Sequence, residues 1–179
     1  MSKQGWVENL VSPVVDAAQI SNTTAETIMI PDVAIPASYF YGGRTVRVRL
    51  MGKMSNVVTT PGTLTLRVRW GGVGGTVLVA SAALTLNTTA QTNAQIIIEF
   101  NITCRVEGNP GKLIVSGWDC LGLSAATQGR VDLIPASGQA EVGSLDLNSA
   151  TSLSFTAQFS VATNPTNLTI QQVTFESLN

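Results

Sequence analysis

The sequence predicts an all-β fold, an antiparallel β-sandwich of about eight strands that follows an N-terminal arm. Apolar and polar residues alternate along most of the chain, which is the period of a strand with one buried face. Charged residues make up only 12% of the chain, about half the usual ~25%, so Thr, Ser, Asn and Gln supply the polar surface. A chain of 179 residues can form one such domain. We assign residues 1–21 to the arm and residues 22–179 to the sandwich.

The arm has an apolar spacing of its own. Trp6, Leu10 and Val14 recur at every fourth position, as they would on one side of a helix. Ser12-Pro13 interrupts a helix that starts earlier but can open a short one, with Ser12 as its N-cap. The segment is therefore an arm or a short helix. Trp6 either packs on the protein's own sheet or docks on a neighbouring molecule, and the sequence leaves both alternatives open.

Short strands come first in the sandwich. The stretches 27–30 and 33–35 are strand-like and are separated by Pro31, which cannot donate to a ladder. An aromatic-rich turn at 39–43 follows. It leads the chain into its two most regular strands.

Those two strands lie within residues 42–70 and carry arginines out of phase with their apolar residues, namely Arg47 and Arg49 in the first strand and Arg67 and Arg69 in the second. A simple hairpin would stack all four cations on one face, which is unfavourable. The strands therefore belong to different sheets, or the arginines meet acidic partners. Crossing between two packed sheets is typical of a jelly roll, so we predict a jelly-roll-like sandwich. The arginine faces are then solvated, or they contact another subunit or an anionic partner.

The remaining strands are antiparallel and joined by turns. A hairpin loop is predicted at the glycine-rich stretch 71–75, and a second hairpin runs from the longest strand, 95–106, through a turn to 112–123. Further strands are predicted at 76–80, 130–134, 151–162 and 168–178, with a long polar loop at 135–148. The apolar phase shifts near Gln171-Gln172, which indicates a bulge there.

The second hairpin sets the positions of the two cysteines. If Val106 lies opposite Lys112 and the ladder is regular, Cys104 and Cys120 lie six positions apart, roughly 20 Å at ~3.3 Å per residue. A disulfide needs Cα atoms within about 7 Å. We therefore predict two free, buried thiols, as in a cytoplasmic product.

The same register places Glu99 directly opposite Asp119. Like charges in that position are unfavourable. A nearby arginine, a different register or a bound cation such as calcium would each resolve the conflict. Two acids without a recognisable sugar cleft are weak evidence for a glycosidase. Since the chain has no histidine and no nucleophile motif, we predict no catalytic site and no cofactor, and we do not expect an enzyme.

Composition and charge exclude other classes. The first residues lack the apolar core of a signal peptide, and no apolar run approaches the ~20 residues of a membrane span, so we expect synthesis in a cytoplasm and no membrane partner. A net charge of -1 gives no basic excess for nucleic-acid binding. It also provides little repulsion between copies, which favours a chain that works within an assembly.

Several short motifs resemble structural proteins of tailed bacteriophages. They are the Ile-Pro pair at 35–36, GRTVRVR at 43–49, TLTLRVRWG at 63–71, TVLVA at 76–80 and NPTNLTI at 164–170. Such proteins are jelly-roll or related sandwich modules, often trimeric, that decorate or cement the capsid or appear as small virion appendages. The resemblance implies a virion protein on the capsid surface, with the phage major capsid protein and further copies of itself as partners.

The resemblance also gives the arm and the arginines a role. A homotrimeric cement protein ties neighbouring shell subunits together through many modest contacts. The residues expected to bind partners are Trp6, Leu10, Val14, Arg47, Arg49, Arg67 and Arg69. The alternative is a receptor- or glycan-binding module of a head or tail fibre, with Tyr39 and Tyr41 as the exposed aromatic residues.

Overall fold

The computed structural model describes residues 8–11, 13–57, 59–122, 129–139 and 141–178, and these residues form strands and no helix. The all-β prediction is confirmed. The strands are β1 Glu8–Val11, β2 Ile20–Ser21, β3 Thr27–Ile28, β4 Val33–Ile35, β5 Thr45–Asn56, β6 Thr63–Trp70, β7 Thr76–Ala80, β8 Leu84–Thr85, β9 Gln91–Val106, β10 Gly111–Leu121, β11 Arg130–Ile134, β12 Glu141–Leu145, β13 Thr151–Phe159 and β14 Asn167–Ser177.

The strands form two antiparallel sheets, which confirms the predicted sandwich. The eight-stranded sheet has the order β1-β14-β5-β9-β10-β11, with β2 also beside β14 and β12 also beside β10. The six-stranded sheet has the order β3-β13-β6-β7, with β4 beside β13 and β8 beside β6. Each sheet edge therefore consists of two short strands that follow one another along a long strand. This division of the edges raises the strand number above the predicted eight, and β12 lies where the sequence predicts a polar loop.

The core lies between the two sheets and is built from the alternating apolar residues. Val46, Val48 and Leu50 of β5 are fully buried, as are the inward residues of β6. Phe100 of the eight-stranded sheet meets Phe155 of the six-stranded sheet, with ring centroids 5.9 Å apart. The period-two pattern of the sequence thus predicts the buried face correctly.

The two arginine-bearing strands lie in different sheets, as the charge argument predicts. β5 pairs with β14 and β9, whereas β6 pairs with β13 and β7. Arg47 and Arg49 therefore project from one outer face of the sandwich. Arg67 and Arg69 project from the other.

The hairpin of β9 and β10 corrects the predicted register. Val106 does lie opposite Lys112, but the ladder shifts by one position after that pair, so that Leu113 lies opposite Cys104. A one-residue shift turns every following side chain of a strand to the other face. As a result Glu99 lies opposite Trp118, and the predicted pairing of Glu99 with Asp119 is wrong.

The register shift also places the two thiols in different environments. Both cysteines are free, as predicted, but only Cys104 is buried, and Cys120 is half-buried on the outer face. Burial raises the pKa of the Cys104 thiol because it disfavours the thiolate. The prediction of two buried thiols is therefore wrong for Cys120.

The N-terminal segment contributes strands to the eight-stranded sheet. β1 pairs with the end of β14, and residues 13–19 cross to β2 without forming the short helix that Pro13 could open. The predicted bulge in β14 is present, since the ladder shifts between Ile170 and Gln172. Gly52 of β5 faces this region, where an added Cβ would lie 2.1 Å from the carbonyl oxygen of Thr169. Only glycine fits there, because the two backbones approach so closely.

Candidate partner-binding surfaces

The outer face of the six-stranded sheet carries an ion cluster around Glu26. Its carboxylate accepts hydrogen bonds from Arg69 Nε at 2.6 Å and Nη2 at 2.7 Å, and from Arg67 Nη1 at 3.2 Å. The Thr156 hydroxyl and the Gln158 side chain complete the network, with Gln158 Oε1 accepting from Arg67 Nη1 at 3.0 Å. Strand pairing brings these groups together, because Thr156 lies directly opposite Arg67.

In this cluster, two of the predicted partner-binding arginines pair with an acidic residue of the same chain. The side chains of Arg67 and Arg69 are only 21% and 16% exposed. The hydrogen bond from Arg69 is the main cause that holds the pKa of Glu26 below its usual value. Charge-assisted hydrogen bonds of this kind are among the stronger ones. The geometry therefore gives both arginines a structural task.

The outer face of the eight-stranded sheet carries the other two arginines. Arg47 pairs with Glu176 on the neighbouring strand, and the hydrogen bond that Arg47 donates to Glu176 raises the pKa of Arg47. Arg49 is exposed and lies between Thr174 and Glu99 in the ladder. Among the described residues it makes no hydrogen bond or ion pair, so Arg49 is the predicted cation that remains available to a partner.

The arm places one predicted residue fully in solvent. Val14 is 96% exposed and its neighbour Val15 is 72% exposed. The segment is held just beyond them, where the amide of Ala17 donates to the carbonyl of Ile170 at 2.8 Å. The backbone of Leu10 lies in β1. The side chain of Leu10 and all of Trp6 lie outside the part of the chain that the structure describes.

An apolar surface on β9, β10 and β11 was not predicted from the sequence. Its members project from the outer face of the eight-stranded sheet and form what we call the β11 patch: Ile97, Trp118, Cys120, Val131 and Leu133. Trp118 lies directly opposite Leu133, and Cys120 directly opposite Val131. Leu133 is 69% exposed and Val131 is 60% exposed. A bulge at Arg105 in β9 creates the patch, because it shifts the pairing so that Trp118 and Cys120 face outward.

The same bulge turns Asp119 into the space between the sheets. Asp119 is 1% exposed and lies opposite Ile98 on one side and Asp132 on the other. Its Oδ2 atom has no hydrogen-bond partner among the described residues. Burial, reinforced by the charge of Asp132, raises the pKa of Asp119 to about 7.

Arg130 provides the cation beside these two acids. Its Nε lies 2.5 Å from Oδ2 of Asp132, and its Nη1 donates to the carbonyl oxygen of Thr85 at 3.2 Å. A nearby arginine is one of the features that would make two adjacent carboxylates tolerable. Within the described ranges no three acidic, cysteine or histidine side chains are grouped so that they could hold a metal ion.

The two candidate tyrosines are joined by Arg44. Its guanidinium carbon lies 3.8 Å from the ring centroid of Tyr39 and 5.1 Å from that of Tyr41, within the range of cation–π contacts. Tyr41 is 46% exposed, whereas Tyr39 packs against the core. Of this pair, only Tyr41 presents a substantial part of its ring to solvent.

Comparisons with known proteins add no family to this picture: no protein-family model matches the chain, and no curated protein matches its sequence. Among the residues that the structure describes, no helix is long and apolar enough to cross a membrane.

Proposed function

We propose that this chain is a non-enzymatic virion structural protein, a decoration or cement protein that binds the shell of a tailed bacteriophage as a homo-oligomer. The motifs quoted above support this assignment. So does one structural observation, the exposure of large apolar side chains at Val14, Val15, Val131 and Leu133. Side chains of this kind, when they cluster on a monomer, mark interaction surfaces.

The two outer faces of the sandwich take different parts in this proposal. On the face with Arg67 and Arg69, both arginines already pair with Glu26, so their charges stabilise the fold. The face with Arg49 and the β11 patch keeps a cation and apolar side chains available. Residues before β1, including Trp6, provide the contact with the shell. Many copies that each make a modest contact would then reinforce the shell through avidity.

Co-sedimentation with empty shells of the major capsid protein from the same phage tests the proposal. We expect the full chain to sediment with the shells and the variant Trp6→Ala to remain in the supernatant. Deletion of residues 1–7 should have the same effect, and it leaves β1 in place to pair with β14. Tyr41→Ala, which removes an exposed ring elsewhere, is the matched control. Failure of the full chain to bind would refute the shell assignment.

The alternative is a glycan-binding module of a fibre, and the exposed ring of Tyr41 is the observation that favours it. Aromatic rings that stand at a surface bind sugars by stacking on their apolar faces. Binding on a glycan array that Tyr41→Ala abolishes would select this alternative. A full chain that binds shells and no glycan would exclude it.

A further inference from the structure

The β11 patch leaves apolar side chains exposed while the adjacent Asp119 is buried, and both features are unfavourable for a chain in isolation. The bulge in β9 exposes part of Trp118 and places the carboxyl group of Asp119 in the core. A regular ladder would do the opposite on both counts. Local departures of this kind are expected where a surface serves a function. A partner that covers Trp118, Val131 and Leu133 would recover the apolar burial that the bulge gives up.

The arm offers the complementary feature at the opposite edge of the same sheet. β1 and the arm lie beside β14 at one edge, while β11 forms the other. Val14 and Val15 are the most exposed large apolar residues that the structure describes. Val15 lines an apolar groove together with Pro13 and Ala17, whereas Val14 does not line it. Val14 therefore projects away from its own sandwich, and Val15 keeps most of its side chain in solvent beside the groove.

The arm and the patch lie at the same level along the strands. One row of the ladder runs across the outer face through Gln172, Met51, Ile97, Cys120 and Val131. Asp16, next to Val15, hydrogen-bonds Gln171 at 3.2 Å, beside the start of this row. A head-to-tail contact between two points at one level joins copies with little shift along the strands. Such a contact closes into a ring when the rotation between copies closes and builds an open filament when it does not.

Charge also matches between the two surfaces. Asp16 on the arm is exposed and forms no ion pair among the described residues. Arg49, in the ladder row that contains Trp118 and Leu133, likewise has no ion-pair partner within that part of the chain. A copy whose valines cover the patch would bring an acid toward an available cation. Opposite charges placed this way guide orientation at an interface.

We infer that the β11 patch is the docking site for the arm of a second copy of this chain, with Val14 and Val15 covering Trp118, Val131 and Leu133 in a head-to-tail ring. This deepens the proposed function by naming the contact that forms the homo-oligomer. It assigns Val14 to a neighbouring copy and leaves the residues before β1 for the shell. A closed ring satisfies the contact with every arm and every patch engaged.

Mass measurement in solution tests the contact directly. We expect the wild type to show a whole-number multiple, at least twice, of the 18.8 kDa of the chain by light scattering at concentrations up to about 100 µM, which reveals any Kd in the micromolar range. Leu133→Asp and Val14→Asp should each give the mass of a monomer. Val106→Asp, at a residue 44% exposed but far from both surfaces, should keep the oligomer. A monomeric wild type would overturn the inference, and so would an oligomer that survives both substitutions.

Mixing the two variants distinguishes a head-to-tail contact from a symmetric one. Leu133→Asp retains an intact arm and Val14→Asp retains an intact patch, so an equimolar mixture should form a one-to-one complex. A patch that docks on another patch predicts no complex and an oligomeric Val14→Asp variant, and either result would refute the assignment of the arm. Both variants change exposed side chains, and matching circular dichroism spectra verify that they fold.

The result of the mass measurement can be distinguished from the result of the shell-binding test. A monomer that still sediments with shells would overturn the inference and the homo-oligomer, and would leave the assignment to the shell standing. A ring that binds no shell would do the reverse.

Discussion

Replacing the buried carboxylate with an amide, Asp119→Asn, should make stability less dependent on pH. The pKa of Asp119 is raised from 3.8 to about 7, so the folded state holds this proton more tightly than the unfolded state does. Its contribution to stability is then fully present below pH 3.8 and is lost as the pH rises through about 7. Asparagine resembles the protonated form and cannot lose a proton.

The size of the effect follows from the shift. A difference of about three pKa units corresponds to about 4 kcal/mol at ~1.4 kcal/mol per unit. In a domain of this size, that is roughly 8–16 °C in Tm. The charged groups beside Asp119 are Asp132 and Arg130. The six-stranded sheet contributes Leu64, Leu84 and Thr85 to the same space, so among the described residues the charge beside Asp119 comes from Asp132 and Arg130 alone.

Urea denaturation of the wild type and the variant at pH 4, 6 and 8 measures the effect. The free energy of unfolding of Asp119→Asn minus that of the wild type should increase with pH, and this difference cancels the titration of other groups. Asp146→Asn, which removes a carboxylate whose pKa is lowered by hydrogen bonds from Ser149 and Asn148, should show no such increase. A difference for Asp119→Asn that stays constant from pH 4 to pH 8 would refute the burial argument.

Other substitutions test the ion cluster, the thiols and the close approach of two strands. Glu26→Gln should lower the free energy of unfolding by about 2–4 kcal/mol in chemical denaturation, because it leaves two arginines without their carboxylate. Since the pKa of Glu26 is lowered, this loss of stability should vanish as the pH falls through that depressed value. A loss that persists at such a pH would contradict the ion-pair explanation. A maleimide reagent should modify Cys120 in the folded monomer and leave Cys104 unmodified, as mass spectrometry of digested protein would show; equal modification of both would argue against the bulge. Gly52→Ala should cost about 1–3 kcal/mol because its Cβ would overlap the Thr169 carbonyl, and a variant that melts at the wild-type temperature would exclude that contact.

The sequence predicts most of the core and less of the surface. Strict alternation identifies Val46, Val48 and Leu50 as buried, and repulsion between four arginines places β5 and β6 in different sheets. Both inferences rest on local physics that a single strand or pair of strands already contains. The Glu26 cluster needs knowledge of which strands become neighbours, and Glu26 itself lies in a loop that no strand period constrains.

The β11 patch could not be predicted because a single bulge decides it. Residues 112–121 alternate between two sets that are both partly apolar: one contains Ile114 and Trp118, and the other contains Leu113 and Val115. A regular ladder buries the first set. The observed ladder buries the second, with Asp119 among its members. The conflict of Asp119 with an opposing acid was visible in the sequence, and a different register was one of its remedies. The register of β10 also has to match its pairing with β11 and β12, which the alternation within the hairpin does not reveal.

The divided edges of the two sheets limit how copies can join when they are crowded on one particle. Among the described residues, edge strands are only two to five residues long. A strand from a neighbour would find few consecutive backbone groups to pair with before the edge changes partner, so growth of a continuous intermolecular sheet is disfavoured. Close packing of many copies then depends on side chains, whose shapes and charges select one arrangement, and a dense layer can form without fibrous aggregation.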